Sequence, residues 1–431
     1  MWTPELVGLG FLIFLILVFL EVPVVFALGF GSIVILLIQG SFPLDFVAQR
    51  MIVGLNSFPL LAVPLFIFVG QCMNKSEVTD HLFTFAKCLI GGVRGNLAHV
   101  NVLSSIIFAG MSGSAVADTA GLGLVEMKAM LDEGYDVDFS AAVTAASSTI
   151  GPIIPPSVPL VVYGFMAETS IGRLFLGGIL PGLLMGISIM ILVYFISIKR
   201  KFPKGESYSI NEKFHSFIIA LPDLFTPVLL LGGIVLGIFT PTEAAGVAAL
   251  YTLFLGFIVY RNLNIKDLFE ILKYTAKSSG IILLVLAFAS IFTYLISIAQ
   301  IPKIITDTLL GITQNKYIIL IMINLVLLLA GCIMESLAIL AIGVPILIPI
   351  INALGINLVH FGVMMVLNLM IGLITPPVGL CLYVVADIGK ISVGKVIRAV
   401  WPFLIPLIIT LLLVTYIPEI TLFIPNLIMG K

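Results

Sequence analysis

Apolar residues in this chain come in long blocks separated by short polar punctuation. A helix needs about 20 apolar residues to cross a hydrocarbon core, and residues 7–38 are apolar apart from interruptions such as Glu21 and Pro23. Runs bounded by charge, Pro or Gly predict spans at 5–20, 22–39, 57–73, 140–165, 173–198, 217–238, 243–260, 278–297, 359–385 and 396–417. Two further blocks, 96–131 and 317–354, each divide into two short helices around a small polar tip. The tips are Met111-Ser112-Gly113-Ser114 and Met334-Glu335-Ser336. Each block predicts a re-entrant hairpin, a shape tolerated at membrane depth only where it is buried in protein or lines a wet cavity. Segments 44–54, 77–91, 264–277 and 301–315 are amphipathic and predict arms lying along the interface.

Composition narrows the class. The 431 residues are 60% hydrophobic and 10% charged, against about 25% charged in an ordinary soluble domain. The fold class is therefore an all-α polytopic membrane protein, with about ten spans and two hairpins. A net charge of −1 without a basic arm gives no footprint for nucleic acid. Cys72, Cys88, Cys332 and Cys381 have neither metal-ligand spacing nor a disulfide framework, and read as small hydrophobes. Met1 to Glu5 lacks a basic n-region and leads straight into apolar sequence, so the first segment reads as a retained span. With the amino terminus outside, sixteen of the 21 Lys and Arg fall in cytoplasmic segments, the bias expected of short loops.

The polar stretch 199–215 cuts the chain into nearly equal halves, 1–198 and 216–431. Shifting the second half by 221 residues superposes Gly134 on Gly355, Gly151 on Gly372, Pro155-Pro156 on Pro376-Pro377 and Pro181 on Pro402. Ser114 of the first tip then meets Glu335 of the second. Pro and Gly fix breaks and turns, so matching them matches backbone shape. Five spans and a hairpin per half would leave the second half upside down, the inverted repeat of many secondary transporters.

Each half carries a span broken near its middle, at Ser147-Ser148-Thr149-Ile150-Gly151-Pro152-Ile153-Ile154-Pro155-Pro156-Ser157 and at Asn368-Leu369-Met370-Ile371-Gly372-Leu373-Ile374-Thr375-Pro376-Pro377-Val378-Gly379. Paired prolines remove donors and release carbonyls. Those carbonyls, with Ser and Thr hydroxyls, form hard oxygen sets suited to an alkali cation such as Na⁺, and half-helix amino termini suit an anion. The alternative is that the prolines merely kink the spans. Asp118 and Glu335 are intramembrane acids, expensive and by default functional, unless they face a wet crevice as helix caps. Glu243 in Thr240-Pro241-Thr242-Glu243 reads as a helix start. An enzyme is the competing class. Gly110-Met111-Ser112-Gly113 matches a G-x-S-G nucleophile motif and His360 lies on a later span, the minimal pair for an intramembrane serine protease.

Gly113-Ser114-Ala115-Val116-Ala117-Asp118-Thr119-Ala120-Gly121, the two breaks and Thr240-Pro241-Thr242-Glu243-Ala244-Ala245 together resemble the large membrane subunit of tripartite ATP-independent periplasmic (TRAP) transporters, over most of the chain. That resemblance implies a bacterial inner-membrane permease importing a carboxylate (a C4-dicarboxylate, keto acid or sialic acid) with inward Na⁺. It also implies an elevator fold like that of the ion-transporter superfamily. The implied partners are a small four-helix membrane subunit and a soluble periplasmic binding protein. Carried over by position, one Na⁺ site falls among Ser112, Gly113, Ser114, Thr149, Gly151 and Pro152. A second falls among Met334, Glu335, Ser336, Thr375, Pro376 and Gly379. Substrate falls between the tips, near Ser114, Asp118, Pro155, Pro156, Ser157, Glu335 and Pro377. Proton coupling, or a channel of the same fold, is the alternative.

Overall fold

The computed structural model describes residues 4–40, 43–76 and 78–430, which are helical throughout, apart from turns and one isolated bridge between Arg94 and Lys204. The first half runs α1 (Pro4–Phe19), α2 (Val24–Gln39), α3 (Leu44–Leu55), a 3₁₀ turn (Phe58–Leu61) leading into α4 (Ala62–Lys75), and α5 (Val78–Ile90). Then come α6 (Asn96–Ser112), α7 (Ala115–Ala120), α8 (Leu122–Asp132), α9 (Val137–Ser148), α10 (Val158–Met166) and α11 (Ile171–Arg200). The second half runs α12 (Ile210–Val235), α13 (Pro241–Phe254) with a π turn at Leu255–Val259, α14 (Ile265–Ile298) and α15 (Ile301–Ile312). It continues with α16 (Lys316–Gly331), α17 (Ser336–Ala353), α18 (Leu358–Gly372), α19 (Leu380–Gly389), α20 (Val393–Tyr416) and α21 (Glu419–Met429).

Local chemistry sets many of these boundaries. Thr240 and Glu243 form a capping box at the start of α13, with the Glu243 carboxylate accepting from the Thr240 amide at 2.8 Å. Ser209 with Glu212 and Asn264 with Asp267 start α12 and α14 in the same way. Among the described residues, seven helices are long and apolar enough to cross a membrane unaided, and α17 is one of them. Their outward faces carry exposed large apolar side chains, such as Ile187, Ile191 and Phe195 on α11. Lipid covers such faces at no cost.

Three features differ from the sequence expectation. Residues 264–277 and 278–297 form one continuous helix, α14, rather than an arm and a span. The corresponding stretch of the first half is broken between α3 and α4, where Pro59 opens the 3₁₀ turn; Lys277-Ser278-Ser279-Gly280 has no proline to stop the helix. The linker is shorter and less free than its polarity suggests. Irregular chain is confined to 201–209, Phe202 packs on Tyr135 and Phe139, and the Gly95 amide donates to the Pro203 carbonyl at 2.9 Å. Finally, the C-terminal helix α21 lies beyond the last expected span and docks on α11 and α18.

The helices pack as two sets, joined where α6 meets α4 and α5 and where α14 meets α17. In one, α14 packs on α2, α3 and α4, while α12 packs on α5 and α13. In the other, α9 packs on α6, α19 and α20, and α11 packs on α20 and α21. The two halves of the chain meet inside the second group, where the Tyr163 hydroxyl donates to the Leu358 carbonyl at 2.8 Å. The Tyr163 ring fills the space that a side chain at Gly362 would need. All four cysteines are buried and unbridged.

Candidate functional site

The first tip is shaped by Gly113. Its φ of +62° is a left-handed conformation, and a Cβ there would meet the Pro156 carbonyl oxygen at 2.6 Å. Glycine is required on both counts, and the tip is pressed directly onto the first break. Ser114 then caps α7, accepting from the Ala117 amide at 3.4 Å. Within α7, Thr119 donates to Ser148 Oγ at 2.8 Å on α9, and Asp118 is buried with Oδ2 packed against Gly151. Thr149 ends α9 and its hydroxyl donates to the Ala146 carbonyl at 2.6 Å. Ser157 starts α10, accepting from the Leu160 amide at 3.2 Å and donating back to the Pro152 carbonyl.

The second tip is tied to its own break through the main chain. The Val378 amide donates to the Cys332 carbonyl at 3.1 Å. Gly331 and Gly372 are in backbone contact, so that a Cβ on Gly372 would lie 2.7 Å from Gly331 Cα. Glu335 holds the cap position of α17, Ser336 is buried behind it, and Met334 packs on the apolar core. Thr375 donates to the Ile371 carbonyl at 2.7 Å, and its own carbonyl faces Gly379, whose φ of +58° opens α19. The Pro155-Pro156 and Pro376-Pro377 bonds are both cis.

The return limbs exchange partners between halves: α7 packs on α19, and α17 packs on α10. Both tips thereby reach one cavity of about 370 Å³. Of the residues expected at the site, Gly113, Ser114, Pro152, Glu335 and Ser336 line it. Thr149, Gly151, Thr375, Pro376 and Gly379 stay within the breaks behind the tips. Asp118, Pro155, Pro156, Ser157 and Pro377 were expected to touch substrate, yet they do not line the cavity either. Asp118 is turned toward Gly151 because the short helix α7 aims its first turn at the break. The Ser112 side chain lies outside the described residues.

Three polar lining residues, Gln71, Tyr274 and Ser278, come from α4 and α14 and were not anticipated. Polar positions on a mostly apolar helix carry no mark of which cavity they face. Two buried asparagines, Asn101 and Asn324, were missed for the same reason; each joins a hairpin limb to the neighbouring broken helix.

Oxygen donors dominate the breaks. The Pro156 and Thr375 carbonyls each point at a glycine, and the breaks also carry the hydroxyls of Thr149, Ser157 and Thr375, which donate to the Ala146, Pro152 and Ile371 carbonyls. This set fits a hard monovalent cation. Among the described residues, no group of three His, Cys, Asp or Glu side chains is placed to hold a metal ion. His360 sits at the start of α18, its Nδ1 3.0 Å from Thr421 Oγ1 on α21, whereas the second hairpin meets the other end of α18 through Gly331 and Gly372. His360 is thus engaged by α21, away from the second break. Arg50 and Arg173 serve as anchors: Arg50 lies over the Tyr294 ring at 4.1 Å, and Arg173 donates to the Gly430 carbonyl at 2.8 Å.

Comparison with known proteins bears on this geometry. Residues 11–420 match the family described as tripartite ATP-independent periplasmic transporter, DctM component. The chain is 46% identical to the sialic acid TRAP transporter large permease protein SiaM of Vibrio cholerae, across 96% of this chain and 97% of that one. It is 37% identical to the C4-dicarboxylate TRAP transporter large permease protein DctM of Pseudomonas aeruginosa, across 93% and 94%. The solved structure of the Alcanivorax borkumensis YdaH transporter superposes with a TM-score of 0.64 at 15% identity, covering 86% of this chain and 88% of that one, a likeness of fold. These relatives are named as transporter permeases, not as enzymes.

Proposed function

The chain belongs to the DctM component family of tripartite ATP-independent periplasmic transporters, large permease subunits of the bacterial inner membrane, and from that premise we propose that it imports a carboxylate coupled to inward Na⁺. The observation that carries this reading is the convergence of both tips on one cavity, each tip pressed against its own break. A cation held by break carbonyls and hydroxyls stiffens the contact between break and tip. It also brings positive charge toward a cavity whose lining includes the Glu335 carboxyl. A carboxylate entering beside Glu335 is repelled until that charge is offset. Cation and substrate therefore bind best together, which is the basis of coupling.

The two halves are inverted repeats on this reading, residues 1–198 and 216–431. Their elements follow the same order, with α16 and α17 standing where α6 to α8 stand, and α18 and α19 where α9 and α10 stand. The second group of helices carries the tips and breaks and moves past the first as an elevator. A small membrane subunit covers part of the first group, and a periplasmic binding protein delivers the substrate.

The test is uptake of radiolabelled sialic acid and C4-dicarboxylates into proteoliposomes holding this chain and its small subunit, with the cognate binding protein outside. Uptake should require both the binding protein and an inward Na⁺ gradient. Uptake driven equally by a proton gradient without Na⁺ would replace the ion, and uptake without any gradient would replace the transporter by a channel.

A further inference from the structure

The cavity has two unlike walls. One is made by the tips, with Ser114, Glu335 and Ser336 beside the amino terminus of the 18-residue helix α17. The other is made by α4 and α14, whose polar contributions are Gln71, Tyr274 and Ser278 amid isoleucines and valine. Every one of those three is neutral and can both donate and accept hydrogen bonds. Among the described residues, no Lys, Arg or His lines the cavity at all. Lys75 stands one turn beyond Gln71 on α4, but it is engaged by Glu270 at 2.7 Å and by Asp267 at 3.9 Å and does not line the space.

These facts bear on what the far wall can recognise. A dicarboxylate would present a second anionic group to a surface with no cation, in a cavity that already contains the Glu335 carboxyl. Neutral amide and hydroxyl groups do not repay the desolvation of a carboxylate as a cation would. They do match hydroxyls and amides, which are uncharged and form hydrogen bonds in both directions. The apolar remainder of the wall suits the carbon skeleton between such groups.

Resting on the carboxylate-importer reading above, we infer that the substrate is a monocarboxylate with a hydroxyl- or amide-bearing body, of the sugar-acid type. Gln71, Tyr274 and Ser278 are its specificity-determining residues. The single carboxylate lies toward the tips, and the neutral polar body lies against α4 and α14. The selecting groups then sit on the helices that do not carry the tips, so recognition of the body is strongest while the two helix groups are in the arrangement seen here.

The experiment is competition binding to the purified complex of this chain and its small subunit in Na⁺ buffer, without the binding protein. Its selectivity is thereby kept out of the readout. Radiolabelled N-acetylneuraminate is the probe, and unlabelled gluconate and succinate are the competitors. Gluconate should compete better than succinate. Gln71→Leu and Tyr274→Phe should each narrow that preference about three- to tenfold, the range for one lost hydrogen bond, with the Na⁺ dependence unchanged. Tyr274→Phe keeps the ring and guards against a folding defect. Succinate competing as well as gluconate in the wild type would overturn the inference, as would an unchanged preference in both variants. Absence of any Na⁺-dependent binding of all three acids would instead strike the importer reading on which it rests.

Discussion

Asn368 donates its side-chain amide to Asn324 Oδ1 at 2.8 Å and to the Asn324 carbonyl at 2.9 Å, fastening the second broken helix to the hairpin limb before it. At the position 221 residues earlier, Ser147 donates to Asn101 Oδ1 at 2.7 Å, fastening the first broken helix to its own hairpin. Asn101 goes on to Thr144 at 2.7 Å and Asn324 to Thr415 at 3.0 Å, so each clamp is a short buried chain of hydrogen bonds. The matched clamps make tip and break in each half one mechanical piece. A cation shared between a tip and a break requires that rigidity, because a loose hairpin would lose the geometry on every excursion.

Removing one member of a clamp leaves its partner buried without a hydrogen bond, at a cost of about 1–3 kcal/mol. Asn324→Ala should lower thermal stability by that amount in detergent-solubilised protein. In a double-mutant cycle, adding Asn368→Ala should cost less than its effect alone, with a coupling of about 0.5–3 kcal/mol. Strictly additive losses would show that the contact carries no energy.

Gly372 and Gly331 touch backbone to backbone, and no flexible side chain can yield there. Gly372→Ala should therefore push the second break off its hairpin and reduce uptake at least about tenfold, as a displacement near 1 Å at a positioned site does. Gly232→Ala, on α12 with nothing within 4 Å of the added methyl, is the matched control. It should leave uptake within error and, by removing a glycine from a helix interior, add slightly to stability. Equal effects at the two positions would mean that the contact has no special role.

The tips and the breaks were legible because their signals are backbone signals. Paired prolines, glycines at tips and capping boxes constrain φ and ψ directly, and so Gly113, Gly379 and Thr240-Glu243 could be placed from sequence. The far wall could not. Gln71, Tyr274 and Ser278 are ordinary polar residues on long helices, and only the packing of α4 and α14 gives them a shared cavity. Asp118 shows the converse limit. Its place beside the tip motif was clear, but the direction of its carboxylate depended on how α7 docks on the break. The unbroken α14 was missed because its amphipathic start and apolar continuation look like two elements; with no proline at 277–280, nothing ends the first.

Thr375 offers a test of the proposed coupling ion. Its hydroxyl hydrogen is committed to the Ile371 carbonyl, which leaves the oxygen lone pairs available to a cation in the second break. Thr375→Val keeps the branched shape and removes that oxygen. The Na⁺ concentration for half-maximal uptake should rise about fivefold or more, the order of one lost charge-assisted contact. The maximal rate at saturating Na⁺ should be affected less. A reduced maximal rate with unchanged Na⁺ dependence would assign Thr375 a structural role and place the ion elsewhere.

The last prediction concerns the helices opposite the tips, where two polar contacts of opposite character allow burial to be weighed against exposure. Asp223 on α12 is fully buried, accepts from the Tyr260 hydroxyl at 2.6 Å and lies 3.0 Å from His81 Nδ1 on α5. Lys75 and Glu270 join α4 to α14 at 2.7 Å, but their side chains are 44% and 66% exposed. Geometry alone would rank the two alike. Solvent separates them: the exposed pair is screened and constrains two long side chains, so Lys75→Ala should cost about 0–1 kcal/mol. Asp223→Ala takes away the fully buried acceptor shared by the half-buried His81 and Tyr260 and should cost about 1–3 kcal/mol, the range for a disrupted buried hydrogen bond. Tyr260→Phe, which removes one donor and keeps the ring packed on His81, should fall between them. Thermal unfolding of the three variants in one detergent would measure this order, and a Lys75→Ala loss equal to that of Asp223→Ala would refute it.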